Sequence, residues 1–205
     1  MLGLSRATEI NKPLPKKALF DKFKPNAADR KLFDEQINRL SIVAEISPQT
    51  VSLAASAEVP AVYVIAVTLK TPDCDKKNIA LLYKLIDQRM LFVLQYGDNA
   101  RLAVYRAKRV LVSEEKPTDD WQLNLSGLDL GVVWENIIAQ IGGIDLAGGK
   151  DLDATIAENA RREKLTNQIA ALEKKARAET QPRRKWEYAE EIKRLKLELG
   201  GNTNE

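Results

Sequence analysis

The sequence predicts an α+β fold, in which a small mixed sheet of about five strands is packed by helices and is followed by a C-terminal antiparallel helical hairpin of the coiled-coil type. The apolar run over 61–69 is typical of a central strand that is covered on both faces. Segments 91–96 and 101–106 flank Gly97-Asp98-Asn99, which favours a β-hairpin. Apolar residues at steps of 4, 3 and 4 on each side of Pro182 indicate two paired helices.

Two helices and a strand are predicted before the central strand. Residues 16–22 can form a short helical turn, while the rest of the first 25 residues is expected to be irregular. Asn26 has the residue type of an N-cap for a helix over 27–40. The apolar residues of that helix recur at helical spacing and are Leu32, Phe33, Ile37 and Leu40. The β-branched run 42–46 then predicts a short strand.

Helices and strands alternate after the central strand. Pro72 is expected near the first turn of a helix over 75–88, whose apolar face consists of Ile79, Leu82, Tyr83 and Ile86. Segments 110–112 and 121–125 are predicted to extend the sheet, the second because its apolar and polar residues alternate. Asp129 is the expected cap of a helix that ends at Gly142-Gly143 and has as apolar positions Leu130, Val133, Trp134, Ile137, Ile138 and Ile141.

The chain is expected to divide into a globular domain and an arm. Residues 1–141 form the mixed α/β domain, and the glycine-rich segment 142–152 is a hinge. Residues 153–199 form the basic hairpin, and residues 200–205 are a disordered tail. The residues predicted to pack the hairpin are Leu165, Ile169, Leu172, Tyr188, Ile192 and Leu195.

The composition excludes several classes of site. The chain has no histidine and one cysteine, Cys74, so serine–histidine triads, cysteine–histidine dyads and zinc sites cannot be built. Two aspartates flank Cys74 and would raise the pKa of its thiol, so a reactive cysteine is not expected. Carboxylate, lysine or tyrosine chemistry and carboxylate-bound magnesium are not excluded by the composition. Because no constellation for them stands out, we predict no catalytic residue, no metal site and no cofactor.

Two patterns come close to known catalytic motifs. Gly149-Lys150 ends a glycine-rich stretch, but Ile144 and Asp151 stand where a phosphate-binding loop needs glycine and Ser or Thr. A magnesium-dependent nuclease would need an acid two residues before Lys70, and Thr68 stands there instead. Glu114-Glu115-Lys116 has the spacing but precedes a proline in a polar segment. A divergent nuclease remains the alternative function.

Positive charge is concentrated in the hairpin. Residues 161–196 contain 12 Lys or Arg and 6 Asp or Glu, which gives +6, whereas residues 1–160 carry 20 and 21, which gives −1. The candidate contact residues for nucleic acid or a partner are Arg183, Arg184, Lys185 and Trp186. The alternative interpretation, which the sequence favours slightly, is that Trp186 and Tyr188 anchor the second helix on the first while the cations remain solvated.

Several stretches resemble an uncharacterised bacterial family, domain of unknown function 4391. They are Leu14-Pro15-Lys16-Lys17, Val67-Thr68-Leu69-Lys70, Leu85-Ile86-Asp87 with Leu91-Phe92-Val93-Leu94, and above all 179–188 with Glu191-Ile192-Lys193-Arg194-Leu195. The family's C-terminal turn usually resembles Gln-Phe-Asn-Arg-Lys, so Pro182 is a departure that should sharpen the hairpin. The hairpin alone is also similar to the Uvr-type helical hairpin, a protein-docking element of bacterial excision-repair proteins.

The resemblance implies an accessory role in DNA defence. Genes of this family tend to lie beside DNA methyltransferase and helicase genes, which implies a non-enzymatic adaptor of a bacterial restriction-modification or phage-defence system. The implied partners are a helicase or a DNA methyltransferase encoded nearby, with DNA as a further target. The absence of an apolar leader or membrane span in the sequence predicts a cytoplasmic protein, and no feature sets its oligomeric state.

Overall fold

The chain divides into two compact units, Met1–Leu152 and Asp153–Glu205. The computed structural model of the protein describes residues 2–84, 88–146, 149 and 151–200. The first unit, called here the sheet unit, contains all the strands, and the second, called here the arm, contains the two long helices.

A mixed sheet of seven strands forms the centre of the sheet unit. Its strands are β1 (Glu9–Pro13), β2 (Ile37–Ile46), β3 (Val62–Leu69), β4 (Arg89–Tyr96), β5 (Asn99–Arg106), β6 (Arg109–Val112) and β7 (Lys116–Pro117). They lie side by side in sequence order from β1 to β6, and β7 pairs with β5. β3 and β4 are parallel, and all other pairs are antiparallel. The predicted fold class is confirmed; β1 and β7 were missed because they are short, polar and exposed.

The position of β3 confirms the strongest prediction from the sequence. β3 lies between β2 and β4, and β4 forms the predicted hairpin with β5. Six of its eight residues are buried, so both of its faces are covered.

Helices cover the two faces of the sheet. They are α1 (Lys16–Phe23), α2 (Ala27–Gln36), α3 (Lys76–Tyr83) and α4 (Leu130–Gly142). Helices α1 to α3 share one core cluster with alternate residues of β4, namely Met90, Phe92 and Leu94. The intervening Leu91 and Val93 are also fully buried but lie outside that cluster. Because α4 packs on β5 and β6 and contributes nothing to that cluster, it covers the opposite face.

The caps of the helices were mostly predictable. The Asn26 side chain accepts a hydrogen bond from the backbone N–H of Asp29, and the Asp129 side chain accepts from Gly131 and Val132. The cap of α3 is Asp75, which accepts from the backbone N–H of Lys77, and Pro72, expected near the first turn, lies four residues before the helix begins. The helix ends at Tyr83, before the predicted end at residue 88, and Ile86 of its predicted apolar face lies within 85–87, outside the described residues.

The prediction that the second helix continues to residue 40 is wrong. The helix ends at Gln36, and Ile37 and Leu40 are buried residues of β2. An irregularity in the pairing between Ile37 and Arg39 shifts the side-chain alternation, so that two inward residues stand three apart. A separation of three residues is also typical of one face of a helix, so the sequence pattern fits both structures. Pairing with β3 favours the strand.

The strand predicted over 121–125 is also absent. This segment has no regular secondary structure, so its alternation of apolar and polar residues does not reflect strand pairing. Trp121 is buried, and its indole Nε1 donates a hydrogen bond of 3.0 Å to the carbonyl oxygen of Ala100. A buried aromatic with a satisfied polar atom therefore fixes the segment without strand pairing.

Two long helices form the arm, α5 (Leu152–Ala178) and α6 (Pro182–Gly200). Within the predicted hinge, Gly142 ends α4 and Leu152 begins α5, while residues 147, 148 and 150 lie outside the described residues. Gly200 belongs to α6 rather than to the predicted tail, whose remaining residues 201–205 are also outside the described part of the chain.

The turn between β5 and β6 is a weak point of the backbone. Ala107 and Lys108 both have positive φ, at 49° and 60°. This left-handed backbone conformation is disfavoured for most residues other than glycine and asparagine. The equivalent turn between β4 and β5 instead uses Gly97 at φ 58°.

We predict that Ala107→Asn combined with Lys108→Gly stabilises the protein by about 1 kcal/mol, because both residue types accept the left-handed conformation that a two-residue hairpin requires. The free energy of unfolding from chemical denaturation measures the effect. Gly97→Ala is the matched control and should destabilise. Equal or lower stability of the double variant would contradict the strain assigned to this turn.

Candidate functional site

The helices of the arm pack through a thin apolar seam. Leu165, Ile169 and Leu195 are buried together, and the half-buried residues packed against them are Leu172, Ile192 and Leu199. The structure thus brings together all the predicted packing residues except Tyr188, which is half-buried outside this cluster. A seam of this width contributes little stability beyond that needed to hold the two helices side by side.

Ion pairs link the two helices along this seam. Arg161 lies 2.8 Å from Glu198, and this partner raises the pKa of the Arg161 guanidinium. This pair joins the first part of α5 to the last part of α6, as an antiparallel hairpin requires. Lys196 lies 2.8 Å from Glu173 and lowers the pKa of that carboxyl. Because the four side chains remain 34–57% exposed to solvent, the pairs contribute more to alignment than to stability.

The turn of the hairpin is strongly basic. The segment 174–186, called here the tip, contains one acid, Glu179, and six cations, which gives a net charge of +5. The cations are Lys174, Lys175 and Arg177 at the end of α5 and Arg183, Arg184 and Lys185 at the start of α6. All six are exposed.

Most of these cations have no carboxylate partner. Arg183 lies 3.3 Å from Glu187, and Arg177 lies 3.9 Å from Glu173. Within the described arm, no ion pair involves Lys174, Lys175, Arg184 or Lys185. The tip therefore presents net positive charge to solvent.

The placement of the α6 cations opposes helix formation. The first turn of α6 contains no acidic residue, and the positive end of the helix dipole disfavours Arg183, Arg184 and Lys185 there. The Glu179 side chain instead accepts hydrogen bonds from the backbone N–H groups of Thr180 and Gln181, each at 2.9 Å, in the preceding turn. A local cost of this kind is typical of residues that serve function rather than stability.

Trp186 lies on the surface of the tip. Its side chain is 64% exposed, whereas Trp121 and Trp134 are 4% and 1% exposed. It therefore contributes little to the packing of α6 on α5, contrary to the interpretation that it anchors the two helices. The structure places all four candidate contact residues, Arg183 to Trp186, on one exposed turn.

A second feature that the sequence did not reveal is a cleft at the carboxyl ends of β3 and β4. The cleft has a volume of about 150 Å³, with an apolar floor that includes Leu69 and Leu94. At its rim, Arg101 bridges Asp73 at 3.2 Å and Glu115 at 3.3 Å. Lys76 also lines the cleft, so two cations and two carboxylates give its rim no net charge and no strong preference for either sign of ligand. The two acids lie 42 residues apart in sequence, so no local pattern could have paired them.

The residues considered for nuclease chemistry are engaged elsewhere. The Lys70 ammonium donates a hydrogen bond of 2.6 Å to the backbone carbonyl oxygen of Asp34. Among the described residues, no group of three or more Cys, Asp or Glu side chains could hold a metal ion.

Burial, more than the charge of Asp75, raises the pKa of the Cys74 thiol to about 11. No helix in the described ranges is long and apolar enough to cross a membrane.

Comparisons with known proteins identify a family. A family model with the description domain of unknown function (DUF4391) matches residues 2–199. No curated protein matches the chain, and no solved structure does.

We predict that Cys74 reacts slowly with a disulfide reagent. At pH 8 a thiol with a pKa of about 11 is almost entirely protonated, so the folded protein should react on the order of 100-fold more slowly than the unfolded chain, whose thiol has an ordinary pKa. The rate should rise about tenfold per pH unit between pH 8 and 10. Equal rates in folded and unfolded protein would refute this assignment.

We also predict that Arg184→Glu stabilises the arm by about 0.5–1 kcal/mol, because it places a negative charge at the positive end of α6. Loss of helical ellipticity on denaturation measures the change, and high salt should reduce the gain. The matched control is Lys193→Glu in the same helix, which should give a smaller change. A destabilised Arg184→Glu variant would show that the arginine supports the fold.

Proposed function

We propose, for a chain that belongs to the family described as domain of unknown function (DUF4391), a role as a non-enzymatic adaptor. In this role the arm makes the contact with a macromolecular partner. One observation carries the proposal. The tip combines a net charge of +5 with an exposed tryptophan, at a position where the cations reduce helix stability.

The division of charge supports a role for the arm in association. Residues 161–196 carry +6, although the whole arm carries only +2 and the sheet unit +1, so the strongest attraction for a negatively charged partner originates in this middle part of the arm. Exposed cations of this kind mainly accelerate association, whereas an aromatic side chain such as Trp186 slows dissociation once it is covered.

The resemblance supplies the biological setting of the proposal. We propose a cytoplasmic accessory protein of a bacterial restriction-modification or phage-defence system, whose partner is a helicase or a DNA methyltransferase encoded nearby. The sheet unit would then dock on that enzyme, while the tip contacts a second macromolecule.

The test is co-expression of the chain with the helicase and the methyltransferase from its own gene neighbourhood, each carrying a tag. We expect one of them to retain the chain. We further expect Arg184→Glu with Lys185→Glu to leave that enzyme bound but to weaken the hold of the assembly on its second macromolecule by about tenfold or more, because two attractions become repulsions.

The matched control is Lys164→Glu with Lys193→Glu, which reverses two exposed charges of the same arm away from the tip. It should leave the assembly intact. Failure of both enzymes to retain the chain would refute the proposed partners. Identical behaviour of the tip variant, the control and the unmodified chain would refute the role of the arm.

A further inference from the structure

We infer that the tip binds single-stranded nucleic acid, with Trp186 stacking on a base and the surrounding cations contacting phosphates. The inference rests on the proposed function, because it names the macromolecule that this same tip contacts. The inference goes beyond the proposed function because stacking on Trp186 requires an unpaired base, whereas attraction to the cations requires only negative charge.

The charge of the tip suits a polyanion. Six exposed cations come from two helix ends that a linker of three residues, 179–181, holds together. Four of them have no ion pair within the described arm, so their charge is available to a ligand. Phosphate contacts of this kind supply affinity for nucleic acid that does not depend on sequence.

The arm away from the tip differs in this respect. There, Arg161, Arg162, Arg194 and Lys196 each pair with a carboxylate within 3.3 Å. Only Lys164 and Lys193 have no ion pair among the described residues of that part. Uncompensated charge is therefore concentrated at the turn of the hairpin.

Trp186 narrows the class of ligand. At three residues' separation on a helix, Arg183 and Trp186 lie on the same side, so a phosphate that replaces Glu187 beside Arg183 would lie next to a base stacked on Trp186. Base stacking on an aromatic side chain is a main source of affinity in proteins that bind single strands. In a duplex the faces of the bases are covered by neighbouring pairs, so an exposed indole gains nothing comparable there.

The experiment uses the fluorescence of the full chain. Trp121 and Trp134 are buried, so quenching by a ligand at the surface reports on Trp186. The probes are an oligothymidylate of about 20 nucleotides, which exceeds the length covered by a single site, a duplex of equal length, and inorganic polyphosphate. We expect the oligothymidylate to bind most tightly and to quench, and polyphosphate to bind weakly without comparable quenching.

Variants separate the two contributions. Trp186→Ala should weaken oligothymidylate binding about tenfold while leaving its salt dependence unchanged, and Trp186→Phe should retain most of the affinity. Arg184→Gln with Lys185→Gln should lower the slope of log affinity against log salt by about 1.4, which is about 0.7 for each cation that no longer neutralises a phosphate. The matched control, Lys164→Gln with Lys193→Gln, should change neither. Anisotropy of a labelled oligonucleotide measures binding for the variants without Trp186.

The possible results have distinct meanings. Tighter binding of the duplex would overturn the inference while leaving the arm as a contact for duplex DNA. No effect of Trp186→Ala would also overturn it and would leave only a charge-driven contact. Loss of a protein partner through Arg184→Glu with Lys185→Glu, with no binding of the oligonucleotide, would overturn the inference and leave the proposed adaptor function standing. If the tip variants change neither the binding of a protein partner nor the binding of the oligonucleotide, the inference and the proposed role of the arm are both wrong.

Discussion

The sheet unit depends on the burial of β3. This strand is apolar over almost its whole length, so it is stable only if a strand flanks it on each side and a layer covers each face. β2 and β4 meet the first requirement, and α1 to α3 with α4 on the opposite face meet the second. The βαβ connection through α3 follows from the parallel pairing of β3 and β4, which cannot be joined by a tight turn.

The arm is stabilised in a different way from the sheet unit. Its apolar seam is narrow, and its interhelical ion pairs are exposed, so it has little stability in reserve. The cations at the start of α6 reduce that reserve further. Under the proposed function, these cations serve contact with a partner at a cost to the stability of the helix.

The sequence predicted the elements whose pattern has one explanation. The run in β3, the hairpin of β4 and β5, and the cap at Asp129 all belong to this group. It failed where two structures share a spacing, as at Ile37 and Leu40, and where one buried ring such as Trp121 imitates strand alternation. The exposed position of Trp186 could not be predicted either, because an aromatic next to an apolar stripe fits both packing and contact.

The order of the strands bears on how the chain is made. Strands β1 to β6 are neighbours in the sheet in the same order as in the sequence, so each can pair with its predecessor soon after it leaves the ribosome. Nearest-neighbour pairing keeps the sequence separation of contacts low for a mixed sheet, which favours rapid folding. The basic arm is synthesised after the strands, when those that could otherwise aggregate through their edges already have partners.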